Sequence, residues 1–136
     1  MTPEQKFWNL IKDHIPGHVQ RIESVVGVGV PDVNYSYEGR ETWIELKANI
    51  GLNFATTGDK LELLDHIHKW KIRLSQFMWH YARYKSGGRV LICTRDNDNV
   101  ILLECVGNIR YLVLCSLPKP WNWDVLESHL KGWRSL

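Results

Sequence analysis

Cysteine is scarce in this chain and unpatterned. The three present, Cys93, Cys105 and Cys115, are an odd number without a C-x-x-C pair, and each sits in an apolar, β-like run (VLICT, LLECV, LVLCS). That argues against a disulfide frame or a cysteine zinc site and leaves buried thiols as the expectation. No apolar stretch approaches the length of a bilayer span, so no membrane partner is expected. Neither sign of charge dominates: 17 Lys and Arg stand against 15 Asp and Glu, a net +2. Such a balance does not by itself point to a nucleic-acid partner, because it is compatible with a local basic patch beside an acidic metal site. The N-terminus, MTPEQKFW, lacks the basic and apolar regions of an export signal, so a reducing, cytoplasmic compartment is expected. Repeats, low-complexity tracts and linkers are also missing. With 136 residues, 44% hydrophobic and 24% charged, the chain is read as one soluble domain, residues 1–136, in which any binding and any catalysis share one scaffold.

What is there alternates between helix and strand signals. Thr2-Pro3-Glu4-Gln5 reads as a capped helix start, followed by Phe7, Trp8, Leu10, Ile11 and Ile15 at helical spacing and a stop at Pro16-Gly17. His18 to Val26 is β-like, with Val19, Arg21, Glu23 and Val25 on one face. Asp32–Tyr37 and Thr42–Ala48 predict an antiparallel hairpin turning at Glu38-Gly39-Arg40. Its second strand places Trp43, Glu45 and Lys47 on one face and Ile44, Leu46 and Ala48 on the other, so a core behind the latter would leave Glu45 and Lys47 lining a cleft. Residues 49–60 read as a loop over that cleft. A helical stretch, interrupted or continuous, is predicted from Leu61 to Lys85, burying Leu74, Phe77, Met78, Tyr81 and Ala82 and ending at Ser86-Gly87-Gly88. Arg89–Thr94 and Val100–Val106 predict a second hairpin, Tyr111–Cys115 a further strand, and Trp123–Trp133 a closing helix.

One constellation carries chemistry. Hydrolysis of a phosphodiester near neutral pH needs a hard cation, and carboxylates are the side chains that hold magnesium. Asp32 and Glu45 lie thirteen positions apart on neighbouring strands of the predicted hairpin, so local structure alone can bring them together. The backbone carbonyl of Leu46 would point toward the same ion. Lys47, on the face of Glu45, could orient the attacking water and offset charge building in the transition state. Glu23 could add a further metal ligand, with Arg21 beside it to contact a phosphate. Lys60, Lys69, Lys71, Arg73, Arg83, Lys85 and Arg89 surround the helix carrying Gln76 and could track phosphates, Lys71 and Arg73 foremost, with Trp70 and Trp79 nearby for stacking. Asp65, His66 and His68 suggest a transition-metal site, but H-x-H on a helix does not put both imidazoles on one face. Asp96-Asn97-Asp98-Asn99 lacks the glycine and distal glutamate of a calcium loop and reads as a hairpin turn.

Gly29-Val30-Pro31-Asp32 followed by Trp43-Ile44-Glu45-Leu46-Lys47 resembles the G-x-PD…(D/E)-x-K signature of the PD-(D/E)XK nuclease superfamily, nearest to the VRR-NUC and Holliday-junction-resolvase-like branches. The resemblance covers about residues 4–93 and extends to Glu4, in the place of a helical glutamate, and to Gln76, in the place of the VRR-NUC glutamine. It implies an α/β, restriction-endonuclease-like fold, with an αβββαβ core and a central mixed sheet flanked by helices. By the same resemblance the chain would be a Mg²⁺-dependent endodeoxyribonuclease, with Mn²⁺ able to substitute, whose products carry 5′-phosphate and 3′-hydroxyl ends. Asp32, Glu45, Lys47, Glu23 and Gln76 would be catalytic, and Asp32, Glu45, Leu46 and Glu23 would hold metal. With no room for a base-reading domain, branched, nicked or junction DNA is the expected partner, in repair, recombination or viral (phage) DNA processing; a virus would place it in the host cytoplasm. Cutting two strands would favour a homodimer. The alternatives are a non-catalytic nucleic-acid-binding module on the same scaffold, or a nuclease acting on RNA.

Overall fold

The computed structural model describes residues 1–22, 29–63 and 72–135. Its first helix, α1 (Pro3–Ile11), begins as the sequence dictates: the Thr2 amide donates to Gln5 Oε1 at 2.8 Å and the Gln5 amide donates to Thr2 Oγ1 at 3.1 Å. After Ile11 the chain tightens into a 3-10 turn over Lys12–His14, and Phe7, Ile11 and Ile15 are buried. The strands are β1 (His18–Arg21), β2 (Val33–Tyr37), β3 (Arg40–Ala48), β4 (Lys60–Glu62), β5 (Arg89–Asp96), β6 (Asn99–Gly107) and β7 (Arg110–Leu117). Two more helices, α2 (Leu74–Lys85) and α3 (Trp123–Lys131), complete the described elements. None of the described helices is long and apolar enough to cross a membrane.

The strands form one sheet in the order β1-β2-β3-β5-β6-β7-β4, with β3 and β5 parallel and every other pair antiparallel. Glu38 and Gly39, both at positive φ (51° and 75°), make the tight turn that keeps β2 and β3 in right-handed twist. Even-numbered residues of β3 (Ile44, Leu46) pack with Phe7, Ile11, Leu126 and Leu130 of α1 and α3. On the opposite face Phe77 of α2 and Ile50, Leu52 and Ala55 of the 49–59 loop pack with Val90, Ile92, Leu103 and Val113. Helices on both faces explain why the central strands read as nearly continuous apolar runs. Cys93, Cys105 and Cys115 are buried and free, and burial pushes all three thiols up.

Three expectations change. Lys60–Glu62 is an edge strand rather than a helix start, because its backbone pairs with β7 (Lys60 opposite Leu112); residues 64–71 lie outside the described residues. The inner face of α2 is Gln76, Phe77 and His80, whereas Leu74 and Met78 are 53% and 63% exposed, Ala82 is exposed and Tyr81 is half-buried. Polar partners on β3 and β7 hold that face inward, so apolar spacing alone misjudged the helix rotation. Nor is the Glu45/Lys47 face an open cleft wall: α2 covers it, leaving Glu45 only 1% and Lys47 8% exposed. The 49–59 loop is pinned down by Asp96, which accepts from the amides of Ile50 (2.7 Å) and Leu52 and from Thr94 Oγ1 at 3.0 Å.

Gly29 of the G-x-PD run has a packing reason. At φ +80° it presses on the first turn of α2, where an added Cβ would fall 2.3 Å from the Ser75 carbonyl oxygen. Gly29→Ala should therefore lower the unfolding free energy by about 2 kcal/mol. A denaturant midpoint equal to that of the wild type would show that α2 yields instead.

Candidate active site

The β2–β3 ladder sets the site. Val33 lies opposite Ile44, so one further step in the same register puts Asp32 opposite Glu45. Asp32 is held twice: its Oδ2 accepts from the Leu46 amide at 2.8 Å, and its carbonyl accepts from the Ile22 amide at 2.7 Å. Strand alternation then turns Glu45 and Lys47 toward α2. Lys47 Nζ donates to Gln76 Oε1 at 3.4 Å, and the same oxygen accepts from the Arg73 amide at 2.8 Å, which ties the start of α2 to Lys47.

Beneath Glu45 is a partner that the sequence reading missed. His80 Nε2 is 3.3 Å from Glu45 Oε1, and His80 Nδ1 is 2.7 Å from the Tyr111 hydroxyl. Burial, then the Lys47 charge, lowers the His80 pKa to about 3, and burial raises that of Tyr111. The contact with Glu45 is therefore a hydrogen bond from a neutral imidazole, not an ion pair. With Tyr111 donating to Nδ1, Nε2 carries the hydrogen that Glu45 accepts, the tautomer that satisfies all three groups. Gln76 and His80 are four residues apart on one helix face, a spacing that could have revealed His80.

Glu45 has a pKa well above the ordinary carboxylate value. Burial is the largest cause, followed by the hydrogen bond and charge of Asp32; Lys47 partly offsets them and Glu4 adds repulsion. Two carboxyl groups in contact need a proton or a cation between them, and oxygen ligands select a hard cation. The donor set thus fits a divalent ion such as Mg²⁺. Among the described residues no three His, Cys, Asp or Glu side chains cluster for a metal. Asp32 and Glu45 would be completed by water and main-chain oxygen, which suits an ion that keeps part of its water shell.

The other expected residues scatter. Glu4, in the first turn of α1, is half-exposed and near enough for its charge to act on Glu45. Arg21 is in register with Val33 and Ile44, on the α1 face, and its guanidinium lies 5.3 Å from the Trp8 ring. The structure therefore separates it from Glu45 and Lys47, because strand alternation turns it to the other side of the sheet. Arg73 is exposed just before α2. Lys60 sits on β4, the sheet edge away from β1 and β2, and Lys85 lies over Tyr81. Arg89, expected among the phosphate-tracking residues, is instead 2% exposed and bonded to Glu104 at 2.8 Å. Glu23, Lys71, Asp65, His66, His68, Lys69 and Trp70 lie outside the described residues.

The elements run α1-β1-β2-β3-β4-α2-β5; apart from the short edge strand β4, which pairs with β7 at the far side of the sheet, this is the αβββαβ core of a restriction-endonuclease-like fold, in an α/β chain whose mixed sheet, with β3 parallel to β5, is flanked by helices. It is similar to the solved structure of Hjc, a Holliday junction resolvase from the archaeal hyperthermophile Archaeoglobus fulgidus, with a TM-score of 0.39 and 11% identity over 86% of this chain and 88% of that one. No family model and no curated protein matches the sequence.

Proposed function

We propose that this chain is a Mg²⁺-dependent endodeoxyribonuclease of the PD-(D/E)XK type, with Mn²⁺ able to substitute, acting on branched, nicked or junction DNA. The observation that carries the reading is the contact of Asp32 with a buried Glu45, with Lys47 beside it on the same strand face. A divalent ion bound there supplies a polarised phosphate and a water acidic enough to attack at neutral pH. Asp32 and Glu45 would hold it, and the Leu46 amide fixes the Asp32 carboxylate. Asp32 is only half-buried, so substrate would approach from its side. Lys47, held by Gln76 on the strand face of Glu45, would supply positive charge to orient an attacking water and to offset charge building on the phosphate. His80 and Tyr111 hold Glu45 from behind, as groups bonded to metal ligands commonly do. Glu4, and Glu23 by its place before Asp32, are the candidates for a further acidic ligand. Phosphate contacts position DNA without reading sequence, so shape would decide the substrate. Paired cuts would require two copies of the chain.

The test is a panel of end-labelled DNAs (four-way junction, flap, nick, linear duplex) incubated in Mg²⁺ with wild type and with Lys47→Ala. The wild type should cut at least one, leaving 5′-phosphate and 3′-hydroxyl ends. Lys47→Ala should cut about a hundredfold more slowly with binding retained. Equal cutting by the two removes Lys47 from the chemistry. Binding without cutting by the wild type, in either metal, replaces the nuclease with a binding module.

A further inference from the structure

A recess lined by described residues does not include the Asp32/Glu45 pair. It encloses about 640 Å³ between the β2–β3 turn and the C-terminal turns of α2, and its walls include Arg40, Glu41, Trp43, Trp79, Arg83 and Trp133. Trp43 shares the β3 face of Glu45, two residues away, a spacing of about 6.7 Å along a strand and close to one nucleotide of extended chain. The recess therefore adjoins the carboxylate pair along the same face.

Its lining is flat rings and cations. Trp43 and Trp79 meet edge to face at 5.2 Å, and the Arg83 guanidinium lies 4.8 Å from the Trp79 ring centroid and 5.4 Å from that of Trp43. Gly88 lets the Arg83 stem pass close, since an added Cβ would stand 2.6 Å from Arg83 Cγ. Across the recess Arg40 lies 5.4 Å from the Trp133 ring. Among the described residues neither guanidinium has a carboxylate partner. The carboxylate present, Glu41, accepts instead from Asn34 Nδ2 at 3.0 Å. Two guanidinium groups held on indole rings keep their N–H donors available for an anion. A ligand that supplies both an aromatic plane and a phosphate uses every part of this lining.

We infer that this recess binds an unpaired nucleotide next to the scissile phosphate, its base stacked on the Trp43/Trp79 pair and its phosphates on Arg83 and Arg40. Its link to cutting rests on the proposed nuclease reading; the binding does not. The substrate class narrows to nucleic acid with a single-stranded or frayed position beside the cut. Within a closed duplex the base would be unavailable.

The test measures binding without divalent metal, using fluorescein-labelled oligothymidylate, the same oligomer with abasic sugars, and a blunt duplex. Wild type should bind oligothymidylate on the order of tenfold more tightly than the abasic strand. Trp79→Ala should abolish that preference. Arg83→Ala and Arg83→Lys should weaken both single strands and leave the duplex within twofold, with thermal melting showing that each variant is folded. An unchanged base preference in Trp79→Ala together with unchanged single-strand affinity in Arg83→Ala overturns the subsite, as does a wild type that prefers the abasic strand or binds neither. Cleavage in Mg²⁺ separates the two claims. Wild type that cuts DNA without Trp79-dependent binding loses the subsite alone; Trp79-dependent binding with no cutting of any substrate loses the nuclease alone.

Discussion

Replacing Glu45 by Gln is expected to slow cleavage by at least about a thousandfold while leaving the metal-free protein no less stable at neutral pH. The loss follows from removing one of two carboxylates at a site where Asp32 and Glu45 are in contact. The stability behaviour follows from the raised pKa of Glu45. In the unfolded chain this carboxyl titrates near its ordinary value of 4.5, whereas in the fold burial and Asp32 hold it well above that. Between the two values the folded protein binds more protons than the unfolded one, so stability falls as pH rises through that window. Gln keeps a neutral group there and removes the slope. His80 works in the opposite direction: with its pKa lowered from 6.5 to about 3, it costs stability as pH falls below 6.5. That contribution is common to both proteins, so their difference isolates Glu45. The wild-type denaturant midpoint in EDTA, taken relative to that of Glu45→Gln at the same pH, should fall from about pH 4.5 upward. Adding Mn²⁺ should restore the wild type and leave the variant unmoved, because only the wild type offers the paired carboxylates. Parallel pH profiles, or equal responses to Mn²⁺, would remove the buried carboxyl from both roles.

Much of the site's geometry is local, and that part was legible. Asp32 and Glu45 come together because a two-residue turn fixes the β2–β3 register, and both the turn and the alternation are written in 32–48. The capping box of α1 is just as local. What escaped the sequence depends on distant partners. On the inner face of α2, Gln76 is at the place the resemblance implies, but His80, which an apolar-face reading assigns to solvent, turns inward for reasons intelligible only once Glu45 and Tyr111 stand opposite. Lys60–Glu62 has no strong strand signal of its own and becomes a strand because β7 offers it an edge. The sequence suggests a phosphate contact for Arg21 beside Glu23, yet the β1–β2–β3 register sends Arg21 to the face of the sheet opposite Glu45. Charge type identified the carboxylates and Lys47; it could not say which arginines face solvent.

Arg89 shows that last point most sharply, and its replacement is expected to have the largest effect on stability. Its side chain runs beneath α3, with Nε donating to Glu104 Oε1 at 2.8 Å, Nη1 to the Gly132 carbonyl at 3.1 Å and Nη2 to the His129 carbonyl at 2.7 Å. Glu104 is fully buried, and its other oxygen accepts from the Ser135 amide at 2.9 Å. The pair therefore fastens the C-terminal end of α3 and the residues after it to the sheet. Arg89→Leu leaves a buried carboxylate without its cation and the last carbonyls of α3 without donors, so it should lower the unfolding free energy by about 3–5 kcal/mol. Adding Glu104→Leu should recover part of that loss, since the uncompensated charge is gone, but not all of it, since the carbonyls of His129 and Gly132 remain without donors. Urea titrations of the two single variants and the double variant measure this coupling. DNA binding per folded molecule should stay at the wild-type level, because Arg89 faces α3 on the side of the sheet away from Glu45 and Lys47. A variant of ordinary stability whose DNA affinity drops would return Arg89 to the phosphate-contacting role that its charge first suggested.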